Sequence, residues 1–229
     1  EYFGKLYKKK INKFKNYYKV YIDQISYLLN EVGININTVP VLDIRTAKGN
    51  NIIGDRSYSL PPDKTSKIGN FCIKQFSKNH IGTVIKHIPG HGLAKVDSHK
   101  FTPLVKKKIS FLLKNDFSAF KHKNTFFAMT AHVIYKDIDP INPATHSKKM
   151  IEIIRKKIGF KNIIISDDIS MKGLKYSIKL NTLKALSAGC NLILHCNGNM
   201  SQMKVVAKNS PLLNAFILKK TSQFYNFLS

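Results

Sequence analysis

Apolar residues along the chain follow two alternating periodicities, and this alternation predicts a repeated strand–helix architecture. Short β-branched runs near residues 36, 84, 127, 164 and 193 are typical of buried strands. Between these runs, apolar residues recur every three or four positions, for example across 11–32 and 180–188, which is the spacing of an amphipathic helix. Strands that alternate with helices predict a parallel sheet in an α/β fold.

Turn and capping residues place the limits of further elements. Pro61 and Pro62 begin a helix that is expected to end near Asn79, and Ser147 caps a helix that Gly159 closes. Three other segments are assigned from their apolar pattern: a strand over 34–44 with Asp43 at its exit, a partly helical segment over 106–123, and one or two amphipathic helices from Met200 onwards.

Polar residues follow the central strand at the point where it ends. The run Thr83–Ile85 leads into Lys86 and His87, and the loop after Pro89-Gly90 carries His91, Asp97 and His99. Asp97 and His99 are two positions apart, so in an extended loop their side chains can share one face. A carboxylate beside an imidazole fixes its tautomer and raises its proton affinity, which suits a general acid/base. Taken alone, the Asp-x-His pair is more typical of a solvated loop with an incidental Asp and His.

A second apolar run, 162–165, ends in Ser166, Asp167 and Asp168. Adjacent carboxylates at a strand exit suit a nucleophile, but on the residues alone they also suit a phosphoacceptor or a Mg²⁺ site. Arg56 has the same ambiguity, because its fixed fork of donors suits an oxygen-rich ligand as well as a surface position. His132, which follows the strand 125–130, fits either the core or the lining of a site.

These segments, in this order, closely resemble glycoside hydrolase family 3, in its bacterial β-N-acetylhexosaminidase branch. The resemblance rests on three motifs: K-H-I-P-G-H-G at 86–92, D-S-H at 97–99 and S-D-D-I-S-M at 166–171. Four shorter matches support it: P-V-L-D at 40–43, G-D-R-S at 54–57, M-T-A-H-V at 129–133 and L-H-C-N at 194–197. Together they extend from about Ile34 to Asn197.

The resemblance implies a (β/α)₈ TIM barrel with its chemistry at the C-terminal ends of the strands. Only about five of the eight β/α units are present, and nothing matches the three N-terminal strands of the family. Because five strands do not close such a barrel, residues 1–229 are expected to be a single catalytic domain that lacks those strands. We expect a fragment of a longer protein rather than a degraded enzyme, and a first residue Glu1 in place of Met agrees.

The resemblance also implies the chemistry. The chain is expected to be a retaining glycoside hydrolase that removes terminal β-linked N-acetylglucosamine through a covalent glycosyl-enzyme. Asp167 is the expected nucleophile, and His99, oriented by Asp97, is the expected acid/base. The residues expected to hold the sugar are Arg56, Lys86 and His87. No metal or other cofactor is expected.

The expected partner is a muropeptide from cell-wall recycling that contains N-acetylglucosamine, bound by a cytoplasmic monomer with no specific nucleic-acid or membrane partner. The odd number of cysteines (three) without metal-ligand spacing suits free thiols in a reducing compartment. No run is long and apolar enough for a membrane span, and the lysine-rich N-terminus lacks a signal-peptide core.

A net charge of +25 leaves one alternative open. It favours an anionic partner, and an inactive, truncated or decayed homologue could survive as a cationic binding protein. Only Arg45, Arg56 and Arg155 are arginines, however, and readers of phosphates and bases usually favour arginine for its bidentate fork. Scattered lysines on solvated faces are the simpler interpretation of the charge.

Overall fold

The computed structural model describes residues 1–45, 53–98 and 101–229. Five parallel strands form the central sheet in the order β1-β2-β4-β6-β7, and the sheet curls into a half-barrel. They are β1 (Ile36–Asn37), β2 (Gly82–Ile88), β4 (Phe127–Thr130), β6 (Ile163–Asp168) and β7 (Leu192–Leu194). The five predicted strands are therefore confirmed in place and direction, whereas the described residues do not close a barrel of eight.

A small parallel ladder lies apart from the central sheet and was not predicted. It pairs β3 (Leu104–Val105) with β5 (Ile134–Tyr135). The backbone N–H of Ile134 also donates to the carbonyl oxygen of Pro103 at 2.8 Å. The ladder therefore ties the segment after the Asp97 loop to the segment that follows β4.

Eight α-helices occur within the described residues. They are α1 (Tyr2–Lys9), α2 (Ile11–Glu31), α3 (Pro62–Lys78), α4 (Ile109–Lys114), α5 (Lys148–Ile153), α6 (Ile178–Ala188), α7 (Met200–Lys208) and α8 (Ala215–Leu228). The predictions for α2, α3, α5 and the two C-terminal helices are confirmed, and α6 begins two residues earlier than expected. The Ser147 side chain accepts a hydrogen bond from the Met150 N–H, as its capping role requires. Helix α1 was not predicted.

The predicted strand over 34–44 is wrong in its extent. Regular pairing covers only Ile36–Asn37, and further along the segment only an isolated bridge joins Val41 to Lys86. Pro40 lacks the N–H that a continuous ladder needs at that position. The segment still runs beside β2, because the Lys86 N–H donates to Pro40 and the Leu42 N–H donates to Lys86. This contact carries Asp43 to the C-terminal end of the sheet.

The two faces of the sheet are buried by different partners. Ile85, Ala128 and Ile164 on adjacent strands belong to the large core that the sheet shares with helices such as α3 and α5. Their sequence neighbours Val84, Phe127 and Ile163 point to the opposite face, because successive strand residues alternate. A parallel sheet is normally covered on both faces, and here α8 covers part of the second one.

Phe224 is the main contact between α8 and this second face. Its ring centroid lies 5.1 Å from that of Phe127 and 5.2 Å from that of Phe126, both in edge-on geometry. A Cβ at Gly82 would lie 2.5 Å from the Phe224 ring, so the helix sits directly on the backbone of β2. None of the helices within the described ranges combines the length and the apolar character needed to cross a bilayer.

Replacing Phe224 with Ala should lower the free energy of unfolding by about 3–5 kcal/mol, because the change leaves a cavity between α8 and the sheet. Phe224 is 5% exposed, whereas its neighbour Tyr225 is 67% exposed and serves as the matched control. Tyr225→Ala should change the free energy by no more than about 0.5 kcal/mol. Urea unfolding followed by circular dichroism measures both. Equal effects of the two variants would mean that α8 does not rest on the sheet through Phe224.

Candidate functional site

A buried carboxylate, Asp43, organises the C-terminal edge of the sheet. The residue is 0% exposed and accepts hydrogen bonds from the His87 N–H at 3.2 Å, the His87 Nδ1 at 2.7 Å and the His91 N–H at 2.7 Å. Burial alone would raise the pKa of Asp43, but the His87 charge and these hydrogen bonds outweigh it and hold the pKa below its usual value. Asp43 is therefore ionised, and it joins the end of the β1 segment to the end of β2.

The contact with Asp43 orients His87. A carboxylate only accepts, so the His87 Nδ1 is the donor, and Nε2 is the ring nitrogen that this contact does not use. The peptide bonds Lys86–His87 and Ile88–Pro89 are both cis. His87 is buried, and its contact with Asp43 gives the ring one orientation at the exit of β2.

Lys86 and Arg56 approach the same region from different elements. Lys86 is half-buried, and its Nζ donates to the Thr38 Oγ1 at 3.1 Å. Burial and then the charge of Arg56 lower the pKa of Lys86, while Asp167 and Asp43 act in the opposite direction. Arg56 is exposed at the end of a 3₁₀ turn, and both cations line a cavity of about 380 Å³ beside β1. The two predicted sugar-binding cations therefore share one cavity.

Asp167 lies at the end of β6, where the prediction placed it. The side chain is half-buried, and its Oδ1 accepts a hydrogen bond from the Asp168 N–H at 2.8 Å. Burial would raise the pKa of Asp167, but the charges of His87 and His132, this hydrogen bond and Lys86 together lower it. The polar groups at the ends of the neighbouring strands therefore favour the ionised form of this carboxylate.

The neighbouring carboxylate, Asp168, forms hydrogen bonds with the loops that follow β6 and β7. Its oxygens accept from the Ser170 N–H and Oγ and from the Cys196 N–H at 2.7 to 3.1 Å, so they tie the end of β6 to the end of β7. Asp167 and Asp168 thus point into different surroundings, as their alternation along a strand requires. Within the described part of the chain, no three His, Cys, Asp or Glu side chains are placed to share a metal ion.

His132 is a fully bonded core histidine that lies close to Asp167. It is 0% exposed, its Nε2 donates to the Asp168 carbonyl at 3.0 Å, and its Nδ1 lies 2.7 Å from the Thr145 Oγ1. Burial lowers the pKa of His132. The two interpretations left open for this residue are therefore compatible: its ring nitrogens are hydrogen-bonded within the core, and the ring lies close to the candidate site.

The loop after β2 carries the predicted acid/base pair. Asp97 is half-buried, and its carbonyl oxygen accepts a hydrogen bond from the Phe101 N–H at 2.9 Å. His99 lies outside the described residues, so its pairing with Asp97 stays a prediction. The residue between them, Ser98, is buried, and its Oγ lies 3.0 Å from the His91 Nε2.

Three buried residues of this region were given no role by the sequence. Asp43 was recognised only as a strand exit, and its two histidine partners lie 44 and 48 positions further along the chain. His91 is buried, which lowers its pKa to about 4, and its Nδ1 has no hydrogen-bond partner among the described residues. Asp116 stands in the segment K-N-D-F, which carries no sign of burial.

Asp116 is a second buried carboxyl group, and its pKa shifts in the direction opposite to that of Asp43. It is 2% exposed, and its Oδ1 has no hydrogen-bond partner within the described chain. Burial is the main reason that the pKa of Asp116 is raised to about 7. A backbone hydrogen bond lowers the pKa in part, and repulsion from Asp43 raises it further. The side chain packs on the loop that follows β2, since a Cβ at Gly90 would lie 2.9 Å from the Asp116 Cβ.

Asp116→Asn should change how stability depends on pH. The pKa of Asp116 is about 7 in the folded protein and 3.8 as the reference value, so the unfolded chain releases this proton first. The contribution of Asp116 to the free energy of unfolding therefore falls as pH rises from about 4 to about 7, and Asn removes that contribution. Between pH 4 and pH 7 the free energy of unfolding of the variant should therefore increase relative to that of the native protein, by up to about 1.4 kcal/mol per pH unit.

Urea unfolding between pH 4 and pH 8 measures this difference. Asp63→Asn is the control, because it removes the same formal charge at an exposed position. Its curve should run parallel to that of the native protein. A parallel curve for Asp116→Asn would show that Asp116 is ionised throughout this range.

Comparison with known proteins finds curated relatives of this chain. A beta-hexosaminidase of Nitrosomonas eutropha is 34% identical over 184 residues, which cover 76% of this chain and 52% of that protein. A beta-hexosaminidase of Shewanella frigidimarina is 36% identical over 174 residues, which cover 73% of this chain and 50% of that protein. The chain thus spans about half the length of the curated relatives that it matches.

Solved structures show the same fold. NagZ from Neisseria gonorrhoeae, in complex with N-trifluoroacetyl-D-glucosamine, matches with a TM-score of 0.85 and 25% identity, over 99% of this chain and 66% of that chain. A glycoside hydrolase family 3 beta-N-acetylglucosaminidase from a Paenibacillus species matches with a TM-score of 0.77 and 26% identity, over 89% of this chain and 41% of that chain. The family profile described as the Glycosyl hydrolase family 3 N terminal domain matches residues 14–221, and this chain therefore belongs to glycoside hydrolase family 3.

Proposed function

We propose that this chain supplies the catalytic half-barrel of a retaining β-N-acetylhexosaminidase, which removes terminal β-linked N-acetylglucosamine through a covalent glycosyl-enzyme. The observation that carries the proposal is the state of Asp167. A nucleophilic carboxylate must be ionised and must lie at an accessible strand end, and Asp167 is half-buried beside groups that lower its pKa.

In the first step, Asp167 attacks the anomeric carbon and the bond to the leaving oxygen breaks. We assign protonation of that oxygen to His99, with Asp97 orienting the imidazole and stabilising its protonated form. In the second step His99 removes a proton from water, which attacks the anomeric carbon and releases Asp167. Each step leaves His99 in the state that the other one needs.

The sugar is proposed to bind against Arg56, Lys86 and His87. The first two line the same cavity beside β1, and His87 is held in one orientation by Asp43. Their donors suit hydroxyl and amide oxygens of N-acetylglucosamine. Contacts of this kind accelerate the reaction when they tighten in the transition state.

The substrate class is proposed from the relatives. Their names describe beta-hexosaminidases, and one solved relative holds an N-acylated glucosamine. We propose a muropeptide fragment as the substrate, within a cytoplasmic recycling route, and a monomer as the working form. The chain spans about half the length of its curated relatives. The activity is therefore proposed for a single domain that contains residues 1–229 together with three further strands of a barrel.

Hydrolysis of an aryl β-N-acetylglucosaminide tests the assignment of Asp167. Asp167→Asn should lower kcat/KM by on the order of 10³-fold or more, because the covalent step loses its nucleophile. Asp63→Asn, which removes an exposed carboxylate on α3, is the control and should leave kcat/KM unchanged. Wild-type rates in Asp167→Asn would contradict the assignment. Proton NMR of the first product anomer tests retention, and the α-anomer appearing first would exclude it.

A second candidate function follows from the net charge of +25. A protein without hydrolytic activity could bind an anionic cell-wall polymer through its lysines, and such binding should weaken steeply with salt. Absence of hydrolysis together with salt-sensitive binding to teichoic acid would favour this function. Hydrolysis that disappears in Asp167→Asn would exclude it as the main role.

A further inference from the structure

The buried face of α6 carries a polar residue where an apolar one is expected. Asn181, Ala185 and Ala188 follow the i, i+4, i+7 spacing and are buried against the rest of the protein. Asparagine is a weak helix former, and burying an amide costs free energy unless it is hydrogen-bonded. Asn181 is 1% exposed, and its Oδ1 has no hydrogen-bond partner among the described residues. The reason for an amide at this position therefore lies in its two N–H donors.

Both hydrogens of the Asn181 amide are used on the loop that follows β6. The Nδ2 atom donates to the carbonyl oxygen of Ile169 at 3.2 Å and to that of Tyr176 at 3.1 Å. These two carbonyls lie near opposite ends of the loop 169–177, which leads from β6 to α6. One buried side chain therefore joins both ends of this loop to α6, and an apolar residue at 181 would remove both bonds.

The first of these carbonyls belongs to the backbone that continues from the proposed nucleophile. Ile169 follows Asp167 by two positions, its side chain is 0% exposed, and its N–H donates to the Leu194 carbonyl at 3.0 Å. Between them, the Asp168 N–H donates to the Asp167 Oδ1 at 2.8 Å. The peptide groups on both sides of Ile169 are thus hydrogen-bonded, one to β7 and one to Asn181 on α6.

We propose that Asn181 is a positioning residue for the proposed nucleophile. Its bond to Ile169 restricts movement of the backbone two positions beyond Asp167, and this backbone also supplies the Asp168 N–H that the Asp167 carboxylate accepts. The carboxylate thereby keeps its place relative to the proposed sugar site on β2. The inference deepens the proposed hydrolase function and rests on it for its catalytic consequence, whereas the effect on the backbone can be measured without activity.

Asn181→Leu tests the effect on the backbone. The variant removes both donors and keeps about the same side-chain size, so the Ile169 N–H should exchange with solvent at least about tenfold faster. The N–H of Ala128, on β4, should change by less than about threefold. Asn181→Ala, which replaces the side chain by the best helix former, should act in the same direction. Hydrogen–deuterium exchange of the 229-residue chain, resolved to single amides by NMR, measures both variants.

Asn162→Leu is the matched control, because it removes a bond of the same kind at the opposite end of β6. The Asn162 Nδ2 donates to the Thr125 carbonyl at 2.8 Å. This variant should leave the exchange of the Ile169 N–H at its native rate. Native exchange at Ile169 in both Asn181 variants would overturn the proposal, and so would equal acceleration at Ile169 and Ala128, which would mean that Asn181 only stabilises the fold as a whole.

Single-turnover hydrolysis of an aryl β-N-acetylglucosaminide tests the catalytic consequence. With enzyme in saturating excess over substrate, the rate constant reports the chemical step in the bound complex and does not depend on the fraction of folded protein. A misplaced nucleophile should lower this rate constant by about 10- to 100-fold in Asn181→Leu. A merely structural role would lower the folded fraction and leave the rate constant at its native value, which would overturn the positioning of Asp167.

Asp167→Asn separates failure of this inference from failure of the proposed function. Loss of hydrolysis in Asp167→Asn with a native rate constant in Asn181→Leu would overturn the positioning role alone. Native hydrolysis in Asp167→Asn would overturn the proposed function and the catalytic part of this inference, and exchange at Ile169 would still decide the effect on the backbone. The expected result is slower hydrolysis in both variants, with faster exchange at Ile169 in Asn181→Leu.

Discussion

The buried carboxylate of Asp43 holds the C-terminal edge of the sheet together. Leaving a charge unpaired inside a protein costs several kcal/mol, so the ionised Asp43 is stable only while His87 and His91 supply their donors. The same requirement fixes the backbone of the loop after β2 and the ring of His87. The placement of Lys86 and of the Asp97 loop follows from that arrangement, because Lys86 precedes His87 on β2 and the Asp97 loop is joined to His91 through Ser98.

Two buried acids in one neighbourhood show how the surroundings set the charge. Asp43 meets an imidazole and two backbone N–H groups, and its pKa falls. Burial raises the pKa of Asp116 to about 7, the charge of Asp43 adds to the rise, and one carboxyl oxygen of Asp116 has no hydrogen-bond partner in the described chain. Opposite shifts of neighbouring carboxyls are a common feature of acid/base sites. Here the opposite shifts leave the negative charge on Asp43, where His87 and His91 donate hydrogen bonds to it.

A parallel sheet has apolar residues on both faces, and both faces of this half-barrel must therefore be covered. Ile85 and its lateral neighbours are covered by the helices that connect the strands, as in any α/β fold. The opposite face, with Val84, Phe127 and Ile163, is covered in part by Phe224 of α8. The strands can therefore keep apolar residues on both faces and still place polar residues at their C-terminal ends. A packed scaffold thus supports the polar residues at the edge of the sheet.

Much of the fold could be predicted from local patterns, because they are encoded by residues that are neighbours in the chain. The three- and four-residue spacing of apolar side chains located α2. Capping chemistry located the start of α5 at Ser147 and the end, at Gly159, of the π-helical turn Ile154–Ile158 that continues it. The order of the K-H-I-P-G-H-G and S-D-D motifs predicted the family, which the family profile confirms over residues 14–221. The strand over 34–44 was overestimated, since periodicity does not register the missing N–H of Pro40.

Contacts between residues far apart in the chain were decided only by the tertiary structure. Asp43 and His87 are 44 positions apart, and they meet because the segment after β1 runs parallel to β2. Gly173 and Thr102 are 71 positions apart, and their contact depends on how two loops pack at the edge of the sheet. The sequence by itself determined which residue types stand at the strand ends. Which of them share a hydrogen bond, and which carry a charge, depended on burial and pairing across the sheet, and those properties exist only once the strands are side by side.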